Sequence, residues 1–216
     1  MHSAAGVDRV DVQREAMTDG VIKYTLDYIE TDPLEAAMWE PLEPIRARLF
    51  ELGLIGVKDG IGYGNLSRRI EGGGFVITAT QTGHLPSLDE NGYSLVKSYD
   101  EAEFRIESEG PAKPSSEAFT HAAVYALSPH IGWVIHIHSF AIWKMMMEGA
   151  YLKTADVAYG TKEMAEEVAN IYRGTDPLKN PLFAMAGHEE GVMIFGKSAD
   201  EAMRITENLF MEAQAL

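Results

Sequence analysis

The stretch Val134-Ile135-His136-Ile137-His138-Ser139 puts two imidazoles one residue apart inside a run of branched apolar residues. Branched residues at this density favour a strand. Successive side chains of a strand point to opposite faces, so His136 and His138 share one face and Ile135 and Ile137 the other. On a buried strand both imidazoles need partners, because an unpaired buried polar group costs roughly 1–3 kcal/mol. A metal ion is one such partner. The alternative is a pair of ordinary histidines, one bonded to backbone and the other at the strand end.

The rest of the composition narrows the choice. The chain has 216 residues and no cysteine. Disulfides, thiolate metal sites and cysteine nucleophiles are therefore all excluded, and a metal site must use His, Asp or Glu. This length suits a single domain that buries roughly 70% of its unfolded surface. A formal net charge of −15 repels nucleic acid and anionic membranes and points to a soluble protein acting on small molecules. No apolar run reaches the ~20 residues needed to cross a bilayer, and the N-terminus lacks the apolar core of a signal peptide. A cytoplasmic location is expected.

Along the chain, apolar positions at helical spacing (Met17, Val21, Ile22, Tyr24, Leu26, Ile29) predict a helix over 12–30. Asp32-Pro33 reads as a cap and first turn of a second helix running to Leu52, kinked near Pro41 or Pro44 and stopped by Gly53. Short strands follow, with Glu71-Gly72-Gly73-Gly74 as a hairpin turn into FVITAT, and YSLVKSY and EFRIES beyond it. A helix over 115–127 precedes the histidine strand. After that strand come an apolar helix with three consecutive methionines, a helix capped by Thr161, a strand–turn–strand over LFAMAGHEEGVMIFG, and a last helix opened by Ser198 and Glu201. The expected organisation is an N-terminal extension and helix over 1–32, then one globular domain over 33–216. Its fold class is α/β, a three-layer α/β/α sandwich around a mostly antiparallel sheet.

Several residues besides the pair are candidates. His188 lies in a glycine-bounded turn between two apolar strands, where it can bring a third imidazole over the face of His136 and His138. Three histidines with an open fourth position are a catalytic zinc arrangement; the alternative is a solvated loop histidine. Glu117 follows Ser115-Ser116 at a helix start, where the dipole favours a carboxylate whatever its role. His121, one turn on, either orients that glutamate or sits in the core. Gly62-Tyr63-Gly64-Asn65-Leu66-Ser67, Thr80-Gln81-Thr82-Gly83 and the Ser115-Ser116 helix end offer neutral donors suited to phosphate. Arg68 and Arg69 face opposite ways on a strand, so at most one can meet a ligand.

Taken in order, GNLS at 64–67, TG at 82–83, PSSE at 114–117 with His121, VIHIHS at 134–139 and GHEEG at 187–191 resemble the class II aldolase/adducin family. His136 follows Glu117 by 19 positions, the interval of the family's aldolase pattern. The resemblance covers roughly residues 35–212. It implies a divalent metal, most often zinc with Mn2+, Fe2+ or Co2+ as alternatives, held by His136, His138 and His188. It makes Glu117 the acid/base carboxylate, and Asn65, Thr82, Gly83, Ser115 and Ser116 the phosphate-binding groups. It also implies a catalytic tyrosine that reaches into a neighbour's site. Tyr159 is the candidate, with Tyr151 behind it. The implied activity is an aldehyde-lyase that makes or breaks a C–C bond of a phosphorylated ketose through a metal-stabilised enediolate. A sugar-phosphate epimerase or a methylthioribulose-phosphate dehydratase would use the same site, and a non-catalytic adducin-like scaffold is the remaining alternative. A homotetramer is implied, with the apolar stretch 140–152 suited to the contact. Two departures stand out: His188-Glu189-Glu190-Gly191 replaces the usual His-Gly, and ITATQTG approaches its Thr-Gly by a longer route.

Overall fold

Eight strands form one open sheet, and its order brings the histidine strand against two others. The structure is a computed structural model and describes residues 20–216. The strands are β1 (Thr25–Glu30), β4 (Asn65–Arg69), β5 (Phe75–Thr78), β6 (Tyr93–Asp100), β7 (Arg105–Gly110), β8 (Trp133–His138), β9 (Leu182–Ala184) and β10 (Gly191–Gly196). Their order is β1-β7-β6-β5-β4-β8-β10-β9. Every neighbouring pair is antiparallel except β1 with β7. Two further strands, β2 (Gly56–Lys58) and β3 (Ile61–Tyr63), make a separate hairpin.

Helices cover both faces. On one side α3 (Ala118–Leu127) and α5 (Lys162–Ile171) pack on Phe75, Ile77, Val96, Val134, Met193 and Phe195. On the other, α2 (Glu43–Glu51), α4 (Phe140–Glu148) and α6 (Ala199–Gln214) pack on Leu66, Val76, Leu95, Ile135, Ile137, Val192 and Ile194. Alternate residues of each strand thus serve opposite cores, as the period of two requires. The three-layer α/β/α sandwich with a mostly antiparallel sheet is the architecture found. No helix among the described residues is long and apolar enough to cross a membrane.

Local chemistry explains most boundaries. Gly72, Gly73 and Gly74 all take positive φ in the β4–β5 turn, a conformation open to glycine without strain. Thr161 accepts from the Met164 amide at 3.3 Å and caps α5. Ser198 accepts from the Glu201 amide at 3.2 Å, and Glu201 reaches back to the Lys197 amide at 2.7 Å, closing the first turn of α6. Of the three methionines in α4, Met146 is fully buried.

Two expectations are corrected. The helix predicted over 12–30 lies outside the described residues as far as 19, and over 25–30 the chain is a strand. Tyr24 and Leu26 fit either period. The open edge of β7 decides, offering partners from Thr25↔Arg105 to Glu30↔Gly110. This strand joins the main sheet. The second helix begins later than Asp32-Pro33, as α1 (Ala36–Trp39), with no side-chain cap. A 3-10 turn over Glu40–Leu42, containing Pro41, separates it from α2, because proline lacks the amide that would continue the ladder.

Candidate active site

β8 is flanked by β4 and β10, with Asn65 and Met193 opposite His136. Val134 packs toward α3, so His136 and His138, two and four residues on, face the same way. His188 arrives from the turn between β9 and β10. That turn is closed by bonds from the His188 amide to the Met185 carbonyl at 3.1 Å and from the Gly191 amide to the His188 carbonyl at 2.8 Å. A Cβ at position 191 would overlap the His188 ring, so only glycine lets the imidazole turn inward here.

The three imidazoles converge. His138 Nε2 lies 3.1 Å from His136 Nε2 and 2.9 Å from His188 Nε2. His136 Nδ1 lies 3.2 Å from the Val192 carbonyl, which can only accept. Nδ1 therefore carries the proton, and Nε2 presents its lone pair. One proton on His138 Nε2 can bridge to one neighbour, whereas a cation satisfies all three nitrogens. Nitrogens bound at about 2.05 Å to one tetrahedral ion would sit about 3.3 Å apart, close to the spacings found. Burial pushes all three histidines well below their usual pKa, and their mutual proximity adds to the effect. Neutral imidazoles are the form a metal takes. No other group of three or more possible ligands occurs among the described residues.

Glu117 is the N-cap residue of α3 itself and is 4% exposed. Thr120 Oγ1 donates to Glu117 Oε2 at 2.9 Å. Thr120 thus contributes to the orientation of this carboxylate. His121 sits fully buried, its Nδ1 2.7 Å from Ser67 Oγ, which in turn lies 2.9 Å from the Tyr125 hydroxyl. This is the core placement among the two weighed for it. Burial lowers its pKa to about 3.

The neutral donors and the histidines line one cleft. Asn65, Thr82, Gly83, Ser115, Ser116, Glu117 and Tyr159 line that cleft together with His136, His138 and His188. The three histidines, Glu117, Tyr159 and the five candidate phosphate-binding residues therefore meet at one place. The Thr82 hydroxyl donates to the Ala79 carbonyl at 2.8 Å. Ser115 Oγ accepts from the Glu117 amide at 3.2 Å and keeps its own proton to donate. Gly83 packs so tightly that a Cβ would overlap the Gly56 carbonyl and come within 2.8 Å of the Tyr63 nitrogen. Arg68 and Arg69 do not line the cleft. Arg69 instead binds the carbonyls of Tyr125 and Ile131, each at 2.8 Å, at the end of α3.

Tyr159 lies in the cleft of its own chain. Its ring lies 4.3 Å from that of His188 in the same chain, and the residue is only 6% exposed. The ammonium of Lys23 sits 3.6 Å from the ring centroid and donates to the Tyr159 carbonyl at 2.6 Å. These contacts hold the tyrosine beside His188. Tyr151 is elsewhere, bonded to Glu212. Sequence reasoning missed Lys23 and Thr120, and it named Tyr63 only within the Gly62–Ser67 stretch, not for the ring that stacks on His138 at 5.1 Å. Only Thr120, three residues from Glu117 on a predicted helix, carried a local signal.

Solved structures of known proteins share this fold. The Klebsiella pneumoniae protein YgbL, described as a putative aldolase/epimerase/decarboxylase, is 24% identical with a TM-score of 0.64, over 84% of this chain and 89% of that one. The l-fuculose-1-phosphate aldolase of Thermus thermophilus is 20% identical with a TM-score of 0.61, over 84% and 93%. The sugar-phosphate aldolase of Thermotoga maritima is 18% identical with a TM-score of 0.63, over 81% and 90%. No curated protein matches the chain in sequence. The family model for the Class II Aldolase and Adducin N-terminal domain matches residues 51–215, and the chain belongs to that family.

Proposed function

We propose that the protein is a metal-dependent aldolase that makes or breaks a C–C bond next to the carbonyl of a phosphorylated ketose. The observation that carries this reading is the meeting, in one cleft, of three inward Nε2 atoms, a buried carboxylate and a wall of neutral donors. A divalent cation held by His136, His138 and His188, zinc in this reading, would supply Lewis-acid polarisation of the substrate carbonyl. Glu117 moves the proton on the carbon beside that carbonyl, and Thr120 keeps its carboxylate aimed. Asn65, Ser115, Ser116 and the amides of the Thr82–Gly83 loop hold the phosphate and so fix the carbon skeleton. In this reading Tyr159, beside His188, donates a proton to the incoming aldehyde oxygen as the C–C bond forms and takes the proton of that hydroxyl back when the bond is cleaved. In this reading the subunit contact of a homotetramer falls on 140–152, where Phe140 is 50% exposed.

The test is proton exchange from dihydroxyacetone phosphate in heavy water, followed by NMR with and without chelator. Stereospecific loss of one C3 proton, abolished by chelator, is the expected outcome. Absence of exchange from the metal-loaded protein refutes a dihydroxyacetone-phosphate aldolase.

A further inference from the structure

Arg46 on α2 has the largest fully buried side chain among the described residues. A guanidinium keeps its charge under all ordinary conditions, and its burial is costly unless the charge is used. Nη2 donates to two carbonyls, those of Thr82 at 2.9 Å and Leu85 at 2.6 Å. Nη1 has no hydrogen-bond partner among the described residues. Arg48, two residues on, behaves as an ordinary surface cation paired with Glu51 and Glu207.

Arg46 does not line the cleft, whereas Thr82 and Gly83 both do. In a planar trans peptide the carbonyl of one residue and the amide of the next point in opposite directions. With the Thr82 carbonyl fixed toward Arg46, the Gly83 N–H points away from it. The guanidinium also polarises this peptide unit and makes its N–H a stronger donor. The loop needs such a hold, since Gln81 has a positive φ of 61° and Gly83 has no room for a side chain. Among the described residues, no lysine or arginine lines the cleft.

We propose that Arg46 is a positioning residue for the anion subsite: through the Thr82 carbonyl it aims the Gly83 amide at the substrate's phosphate without touching the ligand. The proposal rests on the reading that the substrate carries a phosphate group.

The experiment titrates inorganic phosphate into the full-length, metal-loaded protein while the Gly83 amide is followed by NMR. The Gly83 resonance moves on binding. In Arg46→Met, phosphate affinity falls about tenfold or more, the scale of a hydrogen bond to a charged group. KM for dihydroxyacetone phosphate rises in step, and the exchange rate at saturation stays within about threefold. Arg46→Lys keeps the charge and loses less. A structural brace alone would lower the melting temperature and leave phosphate affinity of the folded protein unchanged, and that result overturns the proposal. If Arg46→Met does not fold, wild type still decides: phosphate binding with an unmoved Gly83 amide overturns the proposal alone. A wild-type protein that binds no phosphate overturns both the substrate reading and this inference.

Discussion

The two sides of the cleft are built by different means. The histidine side stands on paired strands, with His136 and His138 fixed by the register of β8 between β4 and β10. The side of neutral donors stands on loops and a helix end, held by a glycine without side-chain space and a buried arginine. Errors of geometry are costly on the first side, because a metal needs several ligands at once. On the second, each amide is one donor among several, so losses should be graded.

The predictions test that contrast. His136→Ala should abolish metal content and reduce activity by ~1000-fold or more, the loss of several kcal/mol of electrophilic stabilisation. Metal analysis and the exchange assay read both. On the opposite face of the same strand, Ile137→Ala should cost about 2–4 kcal/mol of stability, seen by denaturant unfolding, with metal uptake per folded molecule retained. Glu117→Gln should keep the metal and slow proton exchange by at least ~100-fold; a rate near wild type would remove the role given to this residue. Gly83→Ala should raise KM roughly tenfold through the strain of its added Cβ, with metal content unchanged. Tyr63→Leu removes a ring stacked on His138 and should weaken metal affinity only about 3- to 10-fold. If the loop variant proves as severe as the ligand variant, the contrast between the two sides fails.

The same division governs what was legible in the sequence. The histidine face of β8, the GHEEG turn and the PSSE helix start are local patterns, and period and glycine placement announce them. Their meeting followed from the family resemblance, and the structure brings them together. The strand at 25–30 was misread because Tyr24 and Leu26 fit two periods, and the partner that settles the matter lies about 80 residues away. Lys23 and Arg46 gave no sign. In EPIRARLFE, Arg46 and Arg48 look alike; only the fold buries one and exposes the other. A residue that acts through a distant carbonyl has no signature in its own neighbourhood.

The open sheet has a further consequence, which concerns association. An eight-stranded sheet ends in two rows of backbone groups that could pair with another chain. At one end β1 carries Asp27 and Glu30 in a six-residue strand, and Asp27 forms an ion pair with Arg105. At the other, β9 is only three residues long and its outer edge is occupied by residues 152–154: the Ala184 amide donates to the Leu152 carbonyl and the Ala184 carbonyl accepts from the Thr154 amide, each at 3.0 Å. Charge guards one margin, and the chain's own backbone covers the other. The chain can thus keep a wide sheet, the platform on which its three converging histidines stand, while discouraging its growth into fibres.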